Sequence, residues 1–278
     1  MRIDLHLHSA ASDGVFSPSE VVRRAKDAGL SLISITDHDT TGGLAEAVEV
    51  AKELNIDFIP GVEFSTFLGD HDIHILGYFR TPELPLISRF NERYQRARED
   101  RIEKMVAKLN SLGLKVGLSE VMAEGNKGAI GRPHLARVLL RHGYVKSIQE
   151  AFERYLKRGR AAYVPREKAE AGEVIDLIHR ASGIAIWAHP YPNEIAEALQ
   201  PLIERGIDGV EAYHPQCPDK ERKKLVKRAN ELGLLITGGS DWHGDKGGLP
   251  LGSFFTTEQE IERFLLKYRE SALAKDSP

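Results

Sequence analysis

The feature of this sequence that most limits its possible folds is a repeated unit of one helix and one short apolar strand. In each repeat the helix ends at Gly or Asn, and the strand finishes on side chains that can bind a metal ion or a proton. Five repeats span residues 29–38, 55–63, 183–189, 206–214 and 233–243. Glycine is favoured just beyond a helix because it accepts a positive φ. Near-continuous apolar strands are typical of a parallel sheet covered on both faces, so the repeat predicts an α/β fold.

The polar residues that end these strands favour a closed barrel over an open sheet. A barrel brings the carboxyl ends of all its strands onto one rim, whereas an open sheet concentrates its site where the strand order reverses. The sequence also lacks the glycine-rich loops that bind dinucleotides or phosphates. Seven candidate strands are residues 2–8, 30–36, 56–63, 73–78, 184–187, 209–213 and 234–238, with residues 252–256 as a further strand at the edge.

The repeat is interrupted between residues 80 and 166. A long polar helix is predicted over residues 83–112, ending at Gly113, and shorter helices near residues 119–124, 133–141 and 147–157. We therefore expect a barrel domain formed by residues 1–79 and 167–278 and a small helical insertion, residues 80–166, that acts as a lid. Two helices of the predicted barrel domain are clearly marked in the sequence. One begins at the capping box Ser17-Pro18-Ser19-Glu20, and another, residues 218–232, carries Lys and Arg on its outer face.

The net charge of −3 conceals an uneven distribution. Residues 80–170 contain 20 Lys and Arg against 11 Asp and Glu, and the remainder contains 18 against 30. A basic insertion over an acidic body suits an anionic substrate, although residues 89–108 could equally be a solvated helix. The charge distribution therefore predicts an anionic substrate, and we expect no membrane and no obligate protein partner.

Cysteine and apolar content limit the class of protein further. The single Cys217 excludes an intrachain disulfide and a cysteine-cluster metal site, so any metal must be bound by His, Asp and Glu. No apolar run approaches the roughly 20 residues of a membrane span. The first residues do not resemble a signal peptide, and we expect a cytoplasmic protein.

Histidines mark the candidate metal site. In the first strand Asp4, His6 and His8 share one face, because alternate side chains of a strand point the same way, and Asp13 lies on the turn that follows. Eight of the 11 histidines fall at strand ends or in one distinctive turn: His6, His8, His38, His74, His134, His189, His214 and His243. The other three, His71, His142 and His179, are interpreted as ordinary surface residues. With Asp13, Glu63 and Asp241 there are enough donors for more than one ion, although His74 alone could be a core residue.

Such a set of side chains needs cations, because carboxylates crowded at one rim repel one another. Imidazole with carboxylate suits Zn²⁺, Mn²⁺ or Fe²⁺. Two or three such ions can activate a bridging hydroxide for attack on phosphorus and hold the attacking and leaving oxygens.

The chain contains a series of motifs in this order: Asp4-x-His6-x-His8-x₃-Ser12-Asp13-Gly14, Thr36-Asp37-His38-Asp39, Pro60-Gly61-Val62-Glu63, His74, Gly131-Arg132-Pro133-His134, Ala188-His189-Pro190 and Gly239-Ser240-Asp241-Trp242-His243. Together they resemble the PHP (polymerase and histidinol phosphatase) family. The length and the insertion are similar to its TrpH/RNase AM-like branch. The resemblance implies a distorted seven-stranded (β/α) barrel and three divalent ions. It implies nine ligands: His6, His8, Asp13, His38, Glu63, His74, His134, Asp241 and His243. It also implies hydrolysis of 3′,5′-nucleoside bisphosphates, 5′→3′ degradation of short RNA, or both.

Further roles are hypotheses. Arg132 suits bidentate contact with a phosphate, His189 could protonate the leaving oxygen or bind the phosphate, and Ser12 is a third candidate for substrate binding. The alternatives are a structural ion pair for Arg132 and a structural hydrogen bond for His189. Asp37 and Asp39 are expected to orient ligands, and Glu211 and His214 have no assigned role.

Three other functions remain open. A phosphatase of a small metabolite such as histidinol phosphate would use the same residues. A metal-dependent amidohydrolase also begins with His-x-His on a barrel strand, but it usually needs a bridging Lys after a middle strand, and no Lys ends a strand here. A non-catalytic metal-binding or polymerase-accessory module is the third.

Overall fold

A computed structural model describes residues 1–124, 130–165, 168–244 and 249–273. The strands in these ranges are β1 (Ile3–Leu7), β2 (Leu32–Ile35), β3 (Asp57–Phe58), β4 (Gly61–Leu68), β5 (His71–Tyr78), β6 (Ala169–Glu170), β7 (Ile184–Trp187), β8 (Gly209–Tyr213) and β9 (Leu235–Gly238). The α-helices are α1 (Pro18–Asp27), α2 (Leu44–Glu53), α3 (Pro85–Ser111), α4 (Leu118–Glu124), α5 (Arg132–Arg141), α6 (Ile148–Ala151), α7 (Ala171–Arg180), α8 (Pro192–Glu204), α9 (Asp219–Glu231) and α10 (Glu262–Leu273). A π-helical segment, Phe152–Leu156, follows α6 directly.

The chain divides into two compact units. The first consists of residues 1–88 and 169–278, and the second of residues 89–168. In the second unit Ile102 and Leu109 of α3, Val121 of α4 and Leu135 and Leu139 of α5 form a hydrophobic core of their own. The expected boundary at Arg166 lies outside the described residues, as does the segment 274–278, which the sequence predicts to be a frayed end. The assignment of the units as barrel and lid stays a prediction.

Two sheets make up the first unit. One has the order β1-β2-β3, and the other the order β6-β4-β5-β7-β8-β9. The parallel arrangement that the repeat predicts does not extend to β5, which pairs antiparallel with both β4 and β7. The cause is the short connection through Gly69, which has φ +57°. A connection this short can join β4 and β5 only as antiparallel strands, because a parallel crossover needs a dozen or more residues.

One predicted strand is divided by a proline. Residues 56–63 form β3 and the start of β4, with Pro60 between them, because proline has no N–H to donate to a sheet ladder. Residues 252–256 contribute a single antiparallel bridge, Thr256 to Ile3, rather than a strand of their own. The short strand β6 was not expected.

Single bridges connect the ends of the two sheets. Leu7 of β1 pairs with Trp242, just beyond β9, and His38, just beyond β2, pairs with Glu63 of β4. These bridges draw the carboxyl ends of β1, β2 and β9 together with the amino-terminal part of β4, which carries Glu63. Because they are bridges and not continuous ladders, a closed seven-stranded barrel stays a prediction, whereas the α/β architecture with parallel strands is confirmed.

Helices that follow the strands begin as the sequence indicates. Ser17 caps α1 by accepting a hydrogen bond from the Glu20 amide at 3.3 Å, with Pro18 at the first helical position. The side chains of Val21, Val22 and Ala25 on α1 are fully buried against β2. No helix in the described part of the chain is long and apolar enough to cross a membrane.

Candidate metal centre

The first strand delivers two imidazoles to the site. All five residues of β1 are buried, and His6 and His8 both have 0% exposure. Leu5 and Leu7 are also fully buried, on the opposite face of the strand. The ring Nε2 atoms of His6 and His8 lie 3.1 Å apart, so the alternation of the strand has placed both rings at one point.

Glu63 is the centre of the site. Its carboxylate lies 3.2 Å from the Nε2 atoms of both His6 and His8, and 3.2 Å from Nδ1 of His38. The same group lies 2.8 Å from Nδ1 of His74 and 3.0 Å from Nε2 of His189. Glu63 itself is fully buried. One carboxylate therefore contacts five imidazoles: two from the end of β1, one from just beyond β2, one from within β5 and one from just beyond β7.

Two aspartates surround the same rings from the other side. Asp241 Oδ1 lies 3.0 Å from His8 Nε2 and 3.4 Å from His6 Nε2. Asp13 lies 3.3 Å from His243 Nε2 and 3.6 Å from His8 Nδ1. Asp241 has a positive φ of 55°, a conformation that is uncommon for residues other than glycine. Its amide is held by the His6 carbonyl at 2.9 Å, so the end of β9 is fixed directly to β1.

Three groups of side chains have donor atoms close enough to bind metal ions. They are His8-Asp13-His38-His243, His6-His8-Glu63-Asp241 and His38-Glu63-His74, each with its donor atoms within 4.8 Å of one another. Eight of the nine predicted ligands belong to these groups, and His8, His38 and Glu63 each belong to two of them. The ninth, His134, lies in the second unit at the start of α5, where its Nδ1 accepts a hydrogen bond from the Gly131 amide at 3.0 Å.

Burial and neighbouring charges set the pKa values of these groups. Desolvation disfavours the charged imidazole of His8, but the hydrogen bonds to Asp241 and Glu63 outweigh it and raise the pKa of His8 to about 10. Burial dominates at His38 and lowers its pKa to about 3. Burial also opposes ionisation of Glu63 and Asp241, yet neighbouring histidines, His38 and His6 foremost, hold the pKa of both carboxyls well below the usual range.

Divalent cations fit this arrangement of donors. Two imidazole nitrogens 3.1 Å apart, as in His6 and His8, need a proton or a cation between them because their lone pairs otherwise repel. The buried Nδ1 of His8 has no hydrogen-bond partner in the described part of the chain. Imidazole nitrogens with ionised carboxylates are the donors that zinc, manganese and iron accept.

Glu211 is the functional residue to which sequence reasoning assigned no role. It lies on β8 with 1% exposure, and its carboxylate accepts a hydrogen bond from His6 Nδ1 at 3.1 Å. Its other oxygen accepts from the backbone amide of His189 at 2.9 Å. A carboxylate at Nδ1 fixes the tautomer that turns the Nε2 lone pair of His6 towards Glu63 and Asp241. The available signal was its position at a strand end, two residues before Tyr213.

Three further candidates, Ser12, Asp37 and Asp39, form hydrogen bonds with nearby loop and strand residues. Ser12 donates to Asp37 at 2.6 Å, and Asp37 also accepts from the Ser9 amide at 2.7 Å. Asp37 thus braces the loop that carries Asp13, as an orienting residue would. Asp39 Oδ1 accepts a hydrogen bond from the Ser65 amide at 2.9 Å.

Arg132 and the histidines outside the set have contacts of their own. The guanidinium of Arg132 donates to the Leu156 carbonyl at 3.5 Å and lies 5.6 Å from the centre of the Phe152 ring. Each histidine expected to be ordinary contacts a surface carboxylate: His71 with Glu197 at 3.0 Å, His142 with Glu120 at 2.7 Å and His179 with Asp208 at 2.8 Å. His214 is buried, with Nε2 3.9 Å from Asp241 Oδ2.

Comparison with known proteins gives consistent results. The family model described as "PHP domain" matches residues 4–199. A "5′-3′ exoribonuclease" of Haemophilus influenzae is 37% identical over 256 residues, which cover 90% of this chain and 93% of that protein. A "3′,5′-nucleoside bisphosphate phosphatase" of Chromobacterium violaceum is 34% identical over 261 residues, covering 90% of each. A solved structure from Bifidobacterium adolescentis, described as a metal-dependent phosphoesterase, superposes with a TM-score of 0.80 at 32% identity and covers 95% of this chain and 96% of that one.

Proposed function

The chain belongs to the PHP domain family, and from this premise we propose that it is a metal-dependent phosphoesterase of nucleotides. Its substrates are 3′,5′-nucleoside bisphosphates, which it converts to nucleoside 5′-monophosphates, and short RNA, which it degrades from the 5′ end. The observation that carries this proposal is the convergence of five imidazoles on the single buried carboxylate of Glu63.

The proposed ligands are the eight clustered side chains together with His134: His6, His8, Asp13, His38, Glu63, His74, His134, Asp241 and His243. Three overlapping donor groups support three ions, and nitrogen and oxygen donors support manganese, zinc or iron. When bound, such ions supply Lewis-acid stabilisation of phosphoryl oxygens and lower the pKa of water.

The chain's own side chains have distinct tasks in this proposal. Glu63 and Asp241 hold the imidazoles in one cluster, and Glu211 orients His6. His189 hydrogen-bonds Glu63 through Nε2 at 3.0 Å and is partly exposed, so it can donate a proton to a leaving oxygen. Arg132 and Ser12 are the proposed phosphate-binding residues, with Arg132 suited to paired hydrogen bonds with two phosphate oxygens.

The fold assigned to the first unit is a distorted seven-stranded barrel. The two parallel bridges, Leu7 to Trp242 and His38 to Glu63, support it because they link the two sheets at the ends that carry the ligands. Residues 80–166 are assigned as its helical lid. Their excess of basic side chains suits a phosphorylated substrate.

Metal analysis followed by substrate turnover tests the function. The purified protein should contain divalent ions by plasma mass spectrometry. It should release phosphate from 3′,5′-adenosine bisphosphate, and nucleoside 5′-monophosphates from a 5′-phosphorylated oligoribonucleotide. Turnover of histidinol phosphate alone would replace the nucleotide with a small metabolite as the substrate. Hydrolysis of a cyclic amide without phosphatase activity would make the protein an amidohydrolase.

A further inference from the structure

Helix α9 is a basic element in an otherwise acidic unit. It carries six cationic side chains, Lys220, Arg222, Lys223, Lys224, Lys227 and Arg228, against the three acids Asp219, Glu221 and Glu231. Four of the cations are not spread around the helix. At 100° per residue, Lys220, Lys223, Lys224 and Lys227 lie on one side, opposite the buried Leu225 and Ala229. We call these four residues the lysine ridge.

The start of the ridge is free to bind an anion. Lys224 contacts Glu221 at 2.9 Å and Lys227 approaches Glu231 at 3.9 Å. Lys220 and Lys223 are exposed and form no ion pair with any described residue. Their charges are therefore uncompensated at the end of α9 that follows the metal centre in the chain.

A short segment connects the ridge to the metal centre. β8 ends at Tyr213 and leads through His214 and Gln216 into α9. A groove beside Glu211 and His189 is lined by Tyr191 and Gln216. The Tyr191 hydroxyl donates to Gln216 Oε1 at 3.4 Å, and the Tyr191 ring lies 6.5 Å from the His189 ring. The groove residue Gln216 and the start of the ridge at Lys220 are thus close together in the chain.

Tyr191 is suited to contact a base. Tyr191 is 49% exposed although its ring lies 6.5 Å from that of His189. Exposed aromatic rings beside cationic side chains are the usual means of binding single-stranded nucleic acid, since bases stack on the ring while the cations follow the phosphates.

Resting on the proposed function, we propose that Tyr191, Gln216 and the lysine ridge form a track that binds single-stranded RNA beyond the nucleotide held at the metal centre. Tyr191 stacks against a base, and Lys220 and Lys223 bind phosphates further along the strand. The track is used only by substrates longer than a mononucleotide. It therefore favours oligoribonucleotides without taking part in bond cleavage.

The test compares two substrates of the same enzyme, 3′,5′-adenosine bisphosphate and a 5′-phosphorylated hexaribonucleotide. In the double variant Lys220→Glu/Lys223→Glu, kcat/KM for the hexanucleotide should fall about tenfold at low salt, mainly through KM, while the bisphosphate stays within about twofold. Each phosphate contact that is lost makes binding to a single strand less dependent on the salt concentration. From 50 to 200 mM salt, the wild type should therefore lose about sevenfold more activity on the hexanucleotide than the variant does.

Two further variants sharpen the test. Lys26→Glu/Lys267→Glu changes two exposed lysines on α1 and α10, altering the net charge equally, and should leave both substrates within about twofold. Tyr191→Ala should raise KM for the hexanucleotide about tenfold, and Tyr191→Phe, which keeps the ring, should not.

Several outcomes would overturn the track. They are an unchanged hexanucleotide KM in the ridge variant, an equal loss on both substrates, or an equal effect of the control pair. A wild-type enzyme that hydrolyses the bisphosphate but not the hexanucleotide would refute the track and leave the phosphoesterase function standing. Absence of turnover on both substrates would refute the proposed function, and the track with it.

Discussion

Replacing Glu211 by Gln tests most directly how the site is held together. Glu211 accepts hydrogen bonds from two donors, Nδ1 of His6 at 3.1 Å and the backbone N–H of His189 at 2.9 Å. A carboxylate satisfies both, because both of its oxygens are acceptors. The amide of glutamine has only one acceptor oxygen. Because His6 Nδ1 lies within 3.2 Å of both Glu211 oxygens, either orientation of the amide places its NH₂ group beside His6 Nδ1.

Either orientation of the amide damages the site. If its oxygen accepts from His189, its NH₂ faces His6 Nδ1 and favours the tautomer with the proton on Nε2, the atom that faces Glu63. If its oxygen accepts from His6, the buried amide of His189 loses its acceptor. Leaving a buried donor unsatisfied costs about 1–3 kcal/mol, or about 5- to 150-fold in an equilibrium constant. Loss of a partner behind a metal-binding histidine typically costs about 10- to 100-fold in affinity.

We therefore expect Glu211→Gln to weaken metal binding about 10- to 100-fold, measured by calorimetric titration of the chelator-treated protein. The same strand provides a matched control. Asp208, which precedes β8, accepts hydrogen bonds from His179 Nε2 and from the Ala185 amide, both at 2.8 Å. Asp208→Asn makes the same change from carboxylate to amide away from the metal donors and should leave metal affinity unchanged.

Two results would refute this reasoning. Metal affinity of Glu211→Gln within twofold of wild type would mean that His6 does not depend on Glu211 for its orientation. An equal loss of affinity in Asp208→Asn would mean that the effect comes from general loosening of β8.

The other predictions concern metal content, stability and substrate binding. Glu63→Gln should lower the metal retained after gel filtration, because its carboxylate contacts five imidazoles; retention of the wild-type content would contradict the assigned ligand set. Chelation should lower the free energy of unfolding by about 4 kcal/mol for each ion removed, relative to protein with ions at a thousandfold excess over Kd, and an unchanged Tm in calorimetry would show that ion binding does not stabilise the fold. Gly239→Ala should cost about 1–3 kcal/mol by overpacking, since a Cβ there would lie 2.5 Å from the His6 backbone nitrogen; denaturant unfolding at wild-type stability would disprove this close approach. Arg132→Ala should greatly reduce turnover with metal content unchanged, and loss of metal would show that Arg132 supports the ligands instead.

Local sequence patterns were sufficient to predict much of the fold and the clustering of most candidate ligands. The α/β class follows from helices that end at glycine and lead into apolar strands, and both signals act over a few residues. The site followed from adding one tertiary rule, that strand ends meet on one rim. That rule correctly grouped residues as distant as His6, Glu63 and Asp241.

The sequence by itself determined which residues could bind metal and where most of the strands and helices lie, because side-chain chemistry and backbone preference are local properties. Only the tertiary structure decided that β5 runs antiparallel to its neighbours and that Glu211 serves His6 from 205 positions away. Strand pairing and hydrogen-bond partners depend on which surfaces meet after the chain has folded. A carboxylate at a strand end looks the same in the sequence whether it binds the ion or orients the residue that does.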